Sequence, residues 1–236
     1  MIHHPALHPV VTALAIVLSV ASATHGQAPQ PSKEHGRLFP PQDLGLLEAP
    51  DRDIWQLPDQ IMDALGIAEA SVVADIGAGS GWFTIRLARR VGPNGIVYAE
   101  DVQPEMLAAI TRRVSAKGLL NVRTVLGKGS DPALPASTLD AVLIVDAYHE
   151  IADRVTFLRN LAKSLRPDGR IGVVDFRLEG GGPGPPTDER VPPEVVVQDA
   201  AKAGLRLLSQ ETFLPYQYLL VFGHEPAKRA LPLISR

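Results

Sequence analysis

The stretch VVADIGAGSGWFT, Val72 to Thr84, constrains this chain more than any other. An apolar run ends in an acid, glycines follow at 77, 79 and 81, and an amphipathic segment begins. That pattern reads as strand, tight turn and helix, with glycine allowing a ligand to approach the backbone closely. A P-loop would need Lys followed by Ser or Thr after its glycines, and none is present. A dinucleotide fingerprint needs G-x-G-x-x-G, and here Trp82 stands where its third glycine belongs. Asp75 would repel a pyrophosphate and suits a ligand bearing an ammonium group. The residues favour a cationic ligand without phosphate.

From Ser71 onward, short apolar runs alternate with amphipathic ones. The pattern predicts strands over 71–76, 96–101, 121–126, 139–145 and 170–176, and helices over 80–91, 104–117, 151–166 and 193–203. Such alternation with short connections is the mark of an α/β fold, a parallel sheet covered on both faces. LRLLSQETFL and YQYLLVFGH then follow within a few residues of each other, as two adjacent antiparallel strands would. Upstream, DRDIWQLPDQIMDALGI offers Pro58 at a helix start and Ile61, Met62 and Leu65 at helical spacing. The Gly/Pro-rich run Glu179 to Pro193 follows the fifth strand at its carboxyl end, where ligands bind in open α/β sheets. It reads equally as a mobile lid or a connector.

Length and charge narrow the function. A chain of 236 residues suffices for one full core plus appendages. The formal net charge of −3 supplies no basic field for a nucleic-acid backbone. Cysteine is absent, which removes disulfides, thiolate metal sites and Cys nucleophiles. The histidines fall mostly near the N-terminus, with no ligand spacing, so no metal is expected. The run Val10 to Val20, followed by Ala21-Ser22-Ala23, reads as a signal peptide over 1–23, although histidines replace the usual basic residues before it. Export to a periplasmic or external compartment is therefore expected, with no membrane span left after cleavage, and a cytoplasmic location if the signal is unused. Residues 24–49 read as a linker, 50–226 as the folded domain and 227–236 as a tail.

The glycine stretch resembles the first motif of the class I S-adenosylmethionine (SAM) dependent methyltransferases, of the type 11/25 kind. Three further matches follow in order: VYAEDVQPEML, VLGKGSDPALP, and LDAVLIVDAYHE with LRPDGRIGVVDF. The resemblance covers roughly residues 50 to 223. More narrowly, it resembles an exported, uncharacterised subgroup sharing the RD-x-WQ-x-P entry, the YHE motif and the LPYQ end. It implies a Rossmann-like three-layer sandwich with a mostly parallel seven-stranded sheet and an antiparallel last strand.

The resemblance also implies roles. Asp75 would bond near the methionine amino group, with Gly77, Ala78, Gly79 and Gly81 admitting the cofactor to the backbone. Asp101, followed by Val102, would take the ribose hydroxyls. Glu100 beside it would point to the other face of the strand. Asp131 would meet the adenine amine, with Ser130 second. Asp146 joins the cofactor set. His149 could remove a proton from the acceptor, or be a structural histidine with Asp146, Tyr148 and Glu150 as partners. Tyr148 would bond or stack on substrate, or shield the sulfonium. Arg52 and Trp55 would fold over the cofactor or begin a surface helix, and Gln217 could face the pocket, although sheet packing is the better reading. The expected activity is SAM-dependent methyl transfer to a small-molecule acceptor. Because the cofactor is made in the cytoplasm, the alternative is an exported, non-catalytic binding protein retaining a nucleoside pocket.

Overall fold

Residues at successive positions of the central strands turn to opposite sides of one sheet, and each side is apolar. Val142 and Ile144 pack on one face with Ile171, Val173, Leu220 and Phe222. Leu143 and Val145 pack on the other with Val73, Val97, Val174 and Val221. This two-sided burial is what the uninterrupted apolar runs require. Each buried side chain of this size stabilises the fold by about 1.5–3 kcal/mol.

The computed structural model describes Met1, residues 38–179 and residues 181–225. The signal peptide read over 1–23 and the tail over 227–236 lie outside the described residues. Everything described below belongs to the unit that runs from Lys33 to the end of the chain. Helices α1 (Arg52–Gln56) and α2 (Pro58–Ala64) precede the first strand. There follow β1 (Val72–Ile76), α3 (Trp82–Val91), β2 (Ile96–Asp101), α4 (Pro104–Ala116), β3 (Val122–Leu126) and β4 (Leu139–Val145). Next come α5 (Arg154–Ala162), β5 (Leu165–Phe176), α6 (Pro193–Lys202), β6 (Leu205–Glu211) and β7 (Gln217–His224). The seven strands order as β3-β2-β1-β4-β5-β7-β6. β7 runs antiparallel to both neighbours, and the other pairings are parallel. The expected Rossmann-like sandwich is the observed fold.

The differences from the sequence reading are local. α5 starts at Arg154 rather than 151, because the Asp153 side chain accepts from the Thr156 N–H at 3.1 Å and caps the helix there. β5 begins at Leu165, five residues early, so Pro167-Asp168-Gly169 lies within the strand. A Cβ at Gly169 would sit 2.8 Å from the Leu139 carbonyl, so glycine permits the two chains to meet there. α2 starts at Pro58, where the sequence places a helix start, and Leu57, at φ 45°, separates it from α1. The linker reading of 24–49 is corrected over its described part: Pro41–Glu48 forms a 3-10 helix.

Among the described residues, no helix is long and apolar enough to cross a membrane.

Candidate active site

The turn after β1 is left-handed at all three glycines, with φ of 61° at Gly77, 53° at Gly79 and 80° at Gly81. A Cβ at Gly77 would fall 2.5 Å from that of Ala147, so this position tolerates nothing larger. Gly81 caps α3 and packs on Ile110 of α4. The amides of the turn are already engaged. Gly77 N–H donates to a Glu100 carboxyl oxygen at 3.4 Å, Ala78 N–H to the Glu100 carbonyl at 2.9 Å, and Gly79 N–H to Asp101 Oδ2 at 2.9 Å. A phosphate needs such donors for itself. Here Glu100 and Asp101, at the end of β2, take them.

Above the turn lies a cavity of about 110 Å³. Gly77, Ala78, Gly79, Asp101 and Val102 line it as the motifs imply, and Asp146 and Glu150 close its far side. Burial raises the Asp101 pKa against the backbone N–H groups of Gln103, Gly79 and Val102, which hold it down. Burial carries Asp146 up to about 7, opposed by Arg52, and Glu150 to about 7, opposed by His149. A hollow walled by the carboxyl groups of Glu100, Asp101, Asp146 and Glu150 suits a cation.

Segments distant in sequence complete the walls. The Pro41–Glu48 helix lies across the site: Glu48 accepts from Arg113 Nη2 at 2.6 Å and from the Ser80 hydroxyl, and Gln103 Nε2 donates to the Phe39 carbonyl at 3.0 Å. Leu38, Phe39 and Leu47 thereby line the cavity. Trp82 stacks beneath the guanidinium groups of Arg52 at 4.4 Å and Arg86 at 3.4 Å. Arg52, Gln56, Gln217 and Asp146 form a closed ring of hydrogen bonds. Arg52 Nε donates to Gln56 at 3.0 Å, Gln56 Nε2 to Gln217 at 2.6 Å, Gln217 Nε2 to Asp146, and Arg52 Nη2 back to Asp146 at 3.5 Å. Arg52, Gln56 and Gln217 are buried, so the surface-helix reading of Arg52 is corrected, and Gln217 is a polar tie rather than sheet packing. The RD-x-WQ entry, the end of β4 and the LPYQ segment meet at this ring.

A second cavity of about 770 Å³ adjoins the first and shares Arg52, Asp146 and Glu150 with it. Trp55, Phe176, His149 and the Pro183–Pro186 stretch line it. The Gly/Pro run therefore forms a wall of the site.

Several expected site residues lie elsewhere. Asp75 is buried and accepts from the Thr84 hydroxyl at 2.6 Å, which ties β1 to α3, and it does not line the cavity. Burial raises it to about 7, and the Thr84 bond opposes this. Asp131 is exposed and its carboxylate accepts from the Ala133 N–H at 2.9 Å in a local turn; Gly129 lines the cavity instead. Tyr148 is wholly buried and donates to Asp199 at 3.2 Å, a core position away from both cavities. Glu100, expected on the far face, lines the cavity and holds the turn. Its other carboxyl oxygen is buried with no hydrogen-bond partner. Burial lifts this group to about 8, which favours its neutral form. Glu150, the last residue of the YHE motif, read only as a partner for His149, and the Leu38–Glu48 segment carried no motif that would have marked it.

Residues 73–169 match the family model described as a methyltransferase domain. Nocamycin O-methyltransferase of Saccharothrix syringae is 36% identical over 116 residues, which are 49% of this chain and 39% of that enzyme. The ubiquinone/menaquinone biosynthesis C-methyltransferase of Pasteurella multocida is 30% identical over 116 residues, 49% of this chain and 43% of that enzyme. The chain thus spans less than half the length of these two relatives. A SAM-dependent methyltransferase structure from Aquifex aeolicus superposes with a TM-score of 0.75 at 28% identity, over 78% of this chain and 98% of that one. Geranyl diphosphate C-methyltransferase from Streptomyces coelicolor A3(2) shares the fold, with a TM-score of 0.63 at 14% identity over 79% and 85% of the two chains.

Proposed function

We infer that this chain is a class I SAM-dependent methyltransferase that binds its methyl donor in the glycine-turn cavity and a small-molecule acceptor in the larger cavity beside it. One observation carries the reading: the turn amides are taken by Glu100 and Asp101, and the hollow they enclose is walled by carboxyl groups. Such a site rejects phosphate and attracts a positively charged nucleoside.

When bound, SAM supplies a methyl group activated by its sulfonium. The chain supplies position and exclusion of water. Gly77, Ala78 and Gly79 leave room for close backbone approach, and Asp101 offers carboxylate oxygens to a cis-diol. Asp146 stands on the walls of both cavities and offers its carboxylate where donor and acceptor meet. The Arg52–Gln56–Gln217 ring fixes its direction.

Calorimetry with SAM and with its demethylated product, S-adenosylhomocysteine, tests the donor site. Micromolar binding of both is expected, and absence of binding of either ends the reading. Incubation with methyl-labelled SAM and a fractionated small-molecule extract then tests transfer.

A further inference from the structure

His149 lines the 770 Å³ cavity and is held by one neighbour above all, Asp175. Asp175 sits near the end of β5 with no exposure to solvent. Its carboxylate accepts from Phe176 N–H at 2.8 Å, from His149 N–H at 3.2 Å, and from His149 Nδ1 at 3.1 and 3.2 Å. A buried carboxylate at Nδ1 fixes the proton on that nitrogen, so Nε2 carries the lone pair in the neutral ring. The carboxylate nearest Nε2 is Glu150 at 4.0 Å, too far for a hydrogen bond. The dyad therefore presents a proton acceptor to the cavity.

The cavity walls indicate what would bring the proton. Phe39, Trp55, Phe176, Pro185 and Pro186 give them aromatic and apolar surfaces. The Trp55 and Phe176 rings stand 6.1 Å apart, and Gly184 lies so close to Phe176 that a Cβ would fall 2.7 Å from its ring. Asp43, Asp51, Asp146 and Glu150 add acidic groups to the same walls. Arg52 is the only Lys or Arg among the described residues lining this cavity, and it is engaged with Leu47, Gln56 and Asp146. An acceptor carrying a carboxylate or phosphate would meet repulsion there. An amine loses its proton to solvent before it attacks, whereas a phenol becomes a strong nucleophile only as its proton leaves.

We propose that His149, oriented by Asp175, takes the proton of a neutral aromatic hydroxyl that is the methyl acceptor. This rests on the transferase reading above. The phenolic O–H proton passes to Nε2, the oxygen forms the new bond to the methyl carbon, and the donor's sulfur keeps the electron pair of the broken C–S bond. The second imidazole proton stays on Nδ1 against Asp175. The charged groups facing the ring are Asp175 from β5 and Asp146 and Glu150 from the segment after β4. Burial opposes the imidazolium, but these carboxylates outweigh it and hold His149 above the ordinary histidine range. A phenol's proton thus meets a stronger base than free imidazole.

The test uses the full chain and 4-nitrophenol, whose phenolate is visible by absorbance, with no methyl donor present. The bound dye is expected to ionise about one pH unit lower than free dye, a tenfold gain in phenolate at a given pH. His149→Gln is expected to abolish that shift while retaining S-adenosylhomocysteine binding. Asp175→Asn is expected to shrink it, because the imidazole loses its carboxylate, an effect that a purely structural role would not produce. Failure of the dye to bind, or an equal ionisation midpoint in wild type and His149→Gln, overturns the proposal. Benzylamine binding in place of the phenol overturns it in favour of an amine acceptor. Should the two variants not fold, the wild-type titration alone decides. Loss of S-adenosylhomocysteine binding by the wild type strikes the transferase reading itself and is scored separately from the dye.

Discussion

Arg52 and Asp146 meet at 3.5 Å, although 94 residues separate them in the chain. The contact joins the short helix ahead of the sheet to the residue that follows β4, and Gln56 and Gln217 close the ring around it. Asp146 is held there at φ 54°, a left-handed conformation that a non-glycine residue adopts only when its surroundings impose it. Its N–H donates to the Val174 carbonyl at 3.0 Å, which contributes to that constraint.

Replacing Gln217 by Leu removes one member of the ring and leaves buried polar groups on Gln56 and Asp146 short of a partner. Each such group costs about 1–3 kcal/mol. The expected result is a marked fall in the urea midpoint with an unchanged m-value. An unshifted midpoint would mean that the ring carries no stability.

Asp101→Ala removes a carboxylate from the cavity wall and the acceptor of the Gly79 N–H. Hydrogen bonds to charged groups contribute roughly 1.5–3 kcal/mol. Calorimetry with S-adenosylhomocysteine is expected to show affinity weakened by one to two orders of magnitude. Unchanged affinity would remove Asp101 from the cofactor site.

Gly77→Ala places a Cβ 2.5 Å from that of Ala147 in a backbone conformation costing about 1–2 kcal/mol for an L residue. The turn must shift, so cofactor affinity is expected to fall more than stability does. Parallel calorimetry and thermal unfolding check the comparison.

Glu100 makes stability depend on pH. Its folded pKa of about 8 lies above the unfolded carboxylate value, so the folded state binds the extra proton between them. Stability from this group is therefore greatest in acid and falls as pH rises from the unfolded value through about 8. Glu100→Gln keeps the neutral form at every pH. The variant is expected to gain on the wild type progressively from pH 5 to pH 8.5 in urea titrations. A difference that does not change with pH would show Glu100 to be ionised in the folded protein.

Asp146 and Glu150, both raised to about 7, give donor binding its own pH dependence. A cation stabilises their ionised forms, so SAM is expected to release protons on binding and to bind more tightly at pH 8 than at pH 6. S-adenosylhomocysteine, without the sulfonium charge, is expected to show less of this. Calorimetry in buffers of different ionisation enthalpy counts the protons. Equal release by both ligands would place the sulfonium away from these carboxyl groups.

The local sequence determined the sheet and the turn. Short apolar runs such as Ala141–Val145, bounded by turn residues and alternating with amphipathic segments, read as two-sided strands, and Gly77, Gly79 and Gly81 supply left-handed φ values that few other residues adopt. Those signals depend on immediate neighbours, so they can be read without a partner in space. Which carboxyl groups face the ligand depended instead on what each captures in three dimensions. Thr84 takes Asp75 and Asp199 takes Tyr148, and both leave the cavities, while alternation along β2 misplaced Glu100 because the turn amide of Gly77 draws its side chain inward. Arg52, Gln56, Gln217 and Asp146 each read as a surface, packing or motif residue alone. Only the packing of the first helix against the ends of β4 and β7 made them one buried network, because a polar group removed from water must find its partner wherever the fold brings one.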